Sequence, residues 1–157
     1  MGVHCQSFAG NLLDVSDEAG YVKFDPSGVP YDYTDLKRPI CQALQRFPRE
    51  WRSPAFACVS ASAPCPQAIW EDVLAVHTLA HEVWHLHGYI QEARTECNAL
   101  QTTAEAAVLL GADERTAHAI AAYALAKIYP LLPAEYRMAD CANGGPYDLR
   151  PADPSWP

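Results

Sequence analysis

With 157 residues, half of them apolar, the chain has the length and composition of one domain with a packed core. Its formal net charge is −8 and its Lys and Arg residues form no cluster, which argues against nucleic acid or an anionic membrane surface as partner. No apolar run approaches the roughly 20 residues of a membrane helix, and the first 20 residues carry Asp14, Asp17 and Glu18 in place of the apolar stretch of a signal peptide.

The chain divides into an irregular N-terminal part (1–67), a helical part (68–138) and a Pro- and Gly-rich tail (139–157). Tyr21–Phe24 alternates weakly and is followed by Asp25-Pro26-Ser27-Gly28, which is turn chemistry. A β-hairpin with Val29–Tyr33 as second strand is expected there. A short helix is expected over Tyr33–Phe47, limited at its start by Pro39. Phe56–Val59 reads as a third short strand in a region broken by Pro54, Pro64 and Pro66.

From Ala68 the pattern changes. Ala68–His87 contains neither Gly nor Pro and reads as one helix, closed by Gly88. Tyr89–Leu110 reads as a second, stopped by Gly111. Asp113 is a good N-cap for a third, running to Tyr129 and ended by Pro130 and Pro133. The expected fold is therefore mainly α with a minor N-terminal β contribution.

The six cysteines, Cys5, Cys41, Cys58, Cys65, Cys97 and Cys141, include no CxxC pair, so a zinc ribbon has no support. Their even number fits up to three disulfides, in pairings that the spacing does not select. That predicts an extracytoplasmic or secreted protein whose export signal is not in this sequence. Six buried thiols in the cytosol are the alternative.

The segment that carries chemistry is His81-Glu82-Val83-Trp84-His85, an HExxH motif within the first long helix. Residues four apart share a helix face, with Cβ atoms about 6 Å apart, so two imidazoles can bind one tetrahedral zinc. Glu82, one position on, stands beside the metal, where it can take a proton from water. His77 and Leu74 lie on the same face as the two histidines. Val76, Leu79, Val83 and Leu86 lie opposite and are expected to face the core.

A catalytic zinc needs a third protein ligand. Glu92 is the first candidate and Glu96 the second. On a straight helix Glu92 would lie about 10 Å beyond His85, so the chain must turn, and Gly88 is where it can. Glu92 and Glu96 share a face with Ala99, Thr103, Ala106, Ala107 and Leu110, which is otherwise small and apolar and should be buried. Carboxylates on such a face need a cation or strong donors. One glutamate can bind metal while the other orients a ligand imidazole. The alternative is an exposed first turn whose acids favour the helix dipole. His77 is a proton donor, a substrate-side group or simply a hydrogen-bonded neighbour. His4, His87 and His118 carry no argument.

With these residues in view, the HExxH helix resembles that of the zincin metallopeptidases. Gly88 to Glu96 resembles the second-helix motif of their gluzincin branch, with Gln91 where Asn is usual. That resemblance implies a zincin-like helical core, Zn2+ as cofactor, Glu92 as third ligand, Glu96 as the acid behind it and a peptide or protein as substrate. Leu79–Gln101 is also similar to a group of small actinobacterial chains described as metallopeptidases, and the similarity extends through Tyr129–Pro133 to the Pro-rich end. The chain departs from the gluzincin pattern in the short connection from His85 to Glu92. His85-Leu86-His87-Gly88 instead resembles the HExxHxxG of metzincins. Their third His would fall at Gln91, and Met138 would stand for their Met-turn. No clear substrate-binding edge strand precedes HExxH.

The implied reaction is metal-assisted hydrolysis with Glu82 as general base. Tyr123, Tyr129, Tyr136, His77 and Arg137 are candidates for the donor to the oxyanion. Two other readings make different predictions. A non-catalytic zinc-stabilised binding domain would use both Glu92 and Glu96 as ligands in a closed site. A metal-free helical interaction domain would be indifferent to chelators.

Overall fold

The computed structural model describes residues 1–7, 19–153 and 156–157. Three strands, β1 (Gly2–Cys5), β2 (Gly20–Phe24) and β3 (Pro30–Leu36), form one small sheet in the order β1-β3-β2. β2 and β3 are the expected antiparallel hairpin. Its turn is closed by Asp25, whose carboxylate accepts from the backbone N–H groups of Ser27 and Val29, and by Gly28 at φ +83°. β1 pairs parallel to β3, from Gly2 opposite Tyr33 to Cys5 opposite Leu36. Its four residues are exposed and carry no alternation, so nothing local marks them as a strand. Long-range pairing and the Cys5–Cys41 disulfide hold it in place.

Helix α1 spans Arg38–Glu50, not Tyr33–Phe47. Thr34 and Leu36 are fully buried two residues apart, which is strand periodicity, so the sheet keeps Tyr33–Leu36. Pro39 then sits in the helix's first turn, where its missing N–H costs nothing. The expected strand at Phe56–Val59 is also helical, a 3-10 turn Pro54–Phe56 followed by the one-turn α2 (Ala57–Ser60). Pro54 opens this turn, and the helical path puts Phe56 and Val59 on one buried face. Cys58–Cys65 then ties α2 to the segment that leads into the next helix.

Three helices make up the body: α3 (Gln67–Leu86), α4 (Glu92–Leu109) and α5 (Glu114–Tyr123). Asp113 caps α5 as expected, accepting from Thr116 N–H at 2.7 Å. The third helix does not run evenly to Tyr129. It opens into a π turn over Ala124–Ile128 and tightens into a 3-10 turn at Tyr129–Leu131, where Pro130 removes a donor.

α3 is the centre of the molecule, packed against α1, α4, β2 and β3. Its core stripe runs through Ile69, Val73, Val76 and Ala80. The stripe expected opposite the histidines holds only in part: Val76 and Leu86 are buried, but Val83 is 38% exposed. A helix covered on several sides buries most of its circumference, so periodicity alone misplaces its one wet strip.

An ion pair, buried at its acidic end, joins α1 to α3. Arg46 donates to Asp72 Oδ1 from Nε at 2.9 Å and Nη2 at 2.7 Å, and Asp72 is fully buried. Burial pushes the Asp72 carboxyl above its ordinary range and Arg46 opposes this. Arg46→Ala is therefore expected to cost about 1–3 kcal/mol in urea unfolding. The loss should grow as pH rises above the ordinary Asp range, because the folded state then holds an unpaired buried charge that the unfolded state solvates. A loss that shrinks as pH rises would contradict this account.

The third disulfide, Cys97–Cys141, fixes the tail to α4. The Gln101 amide acts there as a surrogate strand, donating to Tyr147 C=O at 2.9 Å and accepting from Leu149 N–H at 2.7 Å. All six cysteines are thus paired, as an oxidising, extracytoplasmic environment allows. Among the described residues no helix is long and apolar enough to cross a membrane.

Candidate metal centre

His81 and His85 project from adjacent turns of α3, with their Nε2 atoms 2.9 Å apart. Gly88, at φ +90°, ends that helix and reverses the chain. Tyr89–Gln91 then run in non-helical form, so α4 begins at Glu92 and not at Tyr89. This delay puts Glu92 in the first turn of α4, facing back towards α3. Its Oε2 lies 3.1 Å from His81 Nε2 and 3.3 Å from His85 Nε2. His81, His85 and Glu92 form the group of potential metal ligands found among the described residues.

The outer ring nitrogens fix what the inner ones offer. His85 Nδ1 is 2.6 Å from Tyr89 C=O, and a carbonyl only accepts, so the proton is on Nδ1. His81 Nδ1 faces Glu96 Oε2 at 2.9 Å and donates to it. Both Nε2 atoms then present lone pairs towards each other and towards a carboxylate oxygen. Three electron-pair donors converging in this way fit a cation. Ligands about 2.0–2.1 Å from a tetrahedral metal lie about 3.3 Å apart, close to the spacings here.

Glu96 stands behind this group. One oxygen accepts from His81 and the other lies 2.7 Å from His77 Nε2. His77 Nδ1 in turn meets Thr103 Oγ1 at 2.8 Å. Glu96 and His77 are both almost fully buried, so this row of polar groups is enclosed between α3 and α4. His77 is thus a hydrogen-bonded neighbour of the group, and it also lines the cleft that opens on this side of α3.

The electrostatics follow the contacts. Burial disfavours a charged His81, but hydrogen bonds to Glu92 and Glu96 outweigh it and hold the imidazole up at about 9. Burial likewise opposes ionised Glu92 and Glu96, yet the facing histidines hold each at about 2. With no metal, a proton on His81 resolves the convergence of lone pairs that a cation would otherwise satisfy.

Glu82 has a separate setting on the sheet side of α3. It is buried, and Thr34 Oγ1 lies 3.2 Å from its Oε2 and 3.1 Å from Tyr21 C=O. Burial raises its pKa against the pull of His81 and His85. Gly20 lies directly over it. A Cβ at Gly20 would meet Leu36 Cδ2 at 2.5 Å and Glu82 Oε1 at 3.0 Å, so this glycine makes room for the carboxylate. Neither Gly20 nor Thr34 stands out in the sequence, because neither belongs to a motif and their relevance arises only when the sheet packs on α3.

The group opens into a cleft of about 810 Å³. One wall is β2, an edge strand of the sheet that the sequence did not reveal as lining a site. The other is the segment from Ile128 to Tyr136. Of the candidate oxyanion donors, His77 and Tyr136 line the cleft; both ring nitrogens of His77 are engaged by Thr103 and Glu96, and the Tyr136 ring centroid is 5.8 Å from that of His81. Tyr123 is buried in the core, Tyr129 is hydrogen-bonded to the Met138 backbone, and Arg137 does not line the cleft. Met138 is outside the cleft lining as well, and Gln91 serves as the N-cap residue of α4.

Comparison of the chain with family models, with curated proteins and with solved structures found no match.

Proposed function

We propose that this protein is a zinc-dependent hydrolase of the HExxH type, a metallopeptidase acting on peptide or protein substrates. The observation that carries the reading is the convergence of two imidazole lone pairs and one carboxylate oxygen, with a separate buried carboxylate one residue away. Zinc held by His81, His85 and Glu92 would supply Lewis acidity, lowering the pKa of water to about 7 and polarising a carbonyl. Glu82 would then take the proton from the attacking water and pass it to the leaving amine. Thr34 and Gly20 keep Glu82 in place for this. Glu96 and the Tyr89 carbonyl hold the two imidazoles in the ligating tautomer. Tyr136, whose ring lies beside that of His81 in the cleft, would donate to the carbonyl oxygen as charge develops there.

The engagement of both Glu96 oxygens by histidine nitrogens favours this reading over a closed structural site. Three protein ligands leave a position for water and substrate. The three disulfides agree with a secreted protein that works outside the cytosol.

The test is the metal content of protein purified without added metal, alongside His81→Ala and Glu92→Ala. One equivalent of zinc is expected, lost or greatly weakened in both variants, and only the zinc-loaded form should cleave a peptide library. Wild-type protein that takes up no zinc on titration would end the proposal. Gly20→Val is expected to lower turnover by about 10²-fold or more with zinc content unchanged, since the added side chain meets Leu36 and Glu82 but none of the three ligands. Unaltered turnover in a folded Gly20→Val protein would show that the position of Glu82 does not matter.

A further inference from the structure

The cleft extends well beyond the metal ligands, and its lining says what it can take. On α3 the face carrying His81 continues through Leu74 to Trp70, both lining the cleft. Trp70 is eleven positions before His81, so this floor runs for about 16 Å. An extended polypeptide at about 3.3 Å per residue would place roughly five residues along it. Ile128 and Leu132 form the facing wall. At the other end, past His85, lie Phe24, whose ring centroid is 6.3 Å from that of His85, and Ile90, which is 59% exposed. The ligand group therefore sits partway along an apolar trough, with room for chain on both sides.

No Lys or Arg lines this trough among the described residues. Segment 8–18 contains none either, so it has no cation to contribute. Of the basic residues adjacent in sequence to the lining, Lys23 pairs with Asp35 and Arg94 packs on the rings of Tyr89 and Tyr147, while Lys127 and Arg137 are exposed and do not line the trough. The ionisable groups that do line the trough are histidines, glutamates and two tyrosines. A phosphate or an acidic side chain along Trp70, Leu74 and Leu132 would be desolvated with no Lys or Arg beside it, and beside the ligand group the two positive charges of the proposed zinc are already offset by Glu92 and Glu96.

From this we infer that the trough binds an internal, uncharged and apolar stretch of polypeptide, with apolar side chains on Trp70, Leu74, Ile128 and Leu132, and rejects chains ending in a free carboxylate beside the ligand group. The inference rests on the proposed hydrolase reading for the choice of polypeptide as occupant. It makes the enzyme one that cuts within chains and does not trim carboxyl termini.

The experiment measures binding and cleavage separately. Zinc-loaded Glu82→Gln protein is titrated calorimetrically with acetyl-Ala-Ala-Leu-Phe-Ala-Ala-amide. Two counterparts follow, one with Asp in place of Leu and Phe, the other ending in a free carboxylate directly after Phe. The blocked apolar peptide is expected to bind at least about ten-fold tighter than either. Leu132→Arg, which puts a cation in the wall, is expected to shrink or reverse that ratio. Equal or tighter binding of an acidic or free-carboxylate peptide would overturn the inference, as would no binding of the blocked peptide. A long-chain acyl amide binding as well as the peptide would assign the trough to lipid and overturn it too. Wild-type protein that binds the blocked peptide but never cleaves it would refute the hydrolase reading alone. Wild-type protein that cleaves only carboxyl-terminal residues would refute the inference alone.

Discussion

Glu82→Gln is expected to lower turnover by about 10²–10⁴-fold while zinc content stays at one equivalent. The two parts of this result come from different contacts. Glu82 touches none of the atoms that converge between His81, His85 and Glu92, so the metal ligands remain. Glutamine has the same shape, so it fits beneath Gly20 and can keep the contact with Thr34. What it lacks is basicity, and the two carboxylates nearest the ligand group are committed, Glu92 as the proposed third ligand and Glu96 by His77 and His81. The measurement is kcat and zinc content on the same preparations. A folded, zinc-loaded Glu82→Gln protein with wild-type kcat would remove Glu82 from the mechanism.

Removing the metal is expected to lower thermal stability substantially without unfolding the chain. A ligand that binds only the folded state at about 1,000 times its Kd adds about 4 kcal/mol. For a chain of this size each kcal/mol shifts Tm by roughly 2–4 °C, so a chelator should lower Tm by roughly 8–16 °C. The apo protein should remain folded, because three disulfides, separated by 36, 7 and 44 residues, constrain the unfolded chain. Helical circular dichroism should persist after chelation, and zinc should restore the lost Tm. A Tm insensitive to both chelator and zinc would show that no metal joins α3 to α4.

The helical half of this chain was open to sequence reading because its signals are local. Gly88 and Gly111 mark helix ends, Asp113 caps, and the four-residue spacing of His81 and His85 defines a face whatever packs nearby. The need for a turn between His85 and Glu92 also followed from helix rise alone, and Gly88 supplies it. The N-terminal half was less legible because its signals are distant. β1 is specified by pairing with residues about thirty positions away and by Cys5–Cys41, and nothing in its own four residues announces a strand. Tyr33–Leu36 could be read into the following helix, since only burial shows that Thr34 and Leu36 point the same way. The surroundings of Glu82 were hidden for the same reason. Gly20, Tyr21 and Thr34 come to it from the sheet, about fifty to sixty residues earlier in the chain.

The fastening of the tail bears on how a ligand enters. The wall carrying Tyr136 is tethered immediately downstream: Tyr129 is hydrogen-bonded to both the N–H and C=O of Met138, Cys141 is bonded to Cys97, and Gln101 grips residues 147 and 149. Such a wall does not have to be recruited from an ensemble of open forms. When the competent conformer is already the dominant one, no population penalty divides the intrinsic affinity. Association should then be a single kinetic phase whose observed rate rises linearly with ligand concentration, with no plateau set by a conformational step.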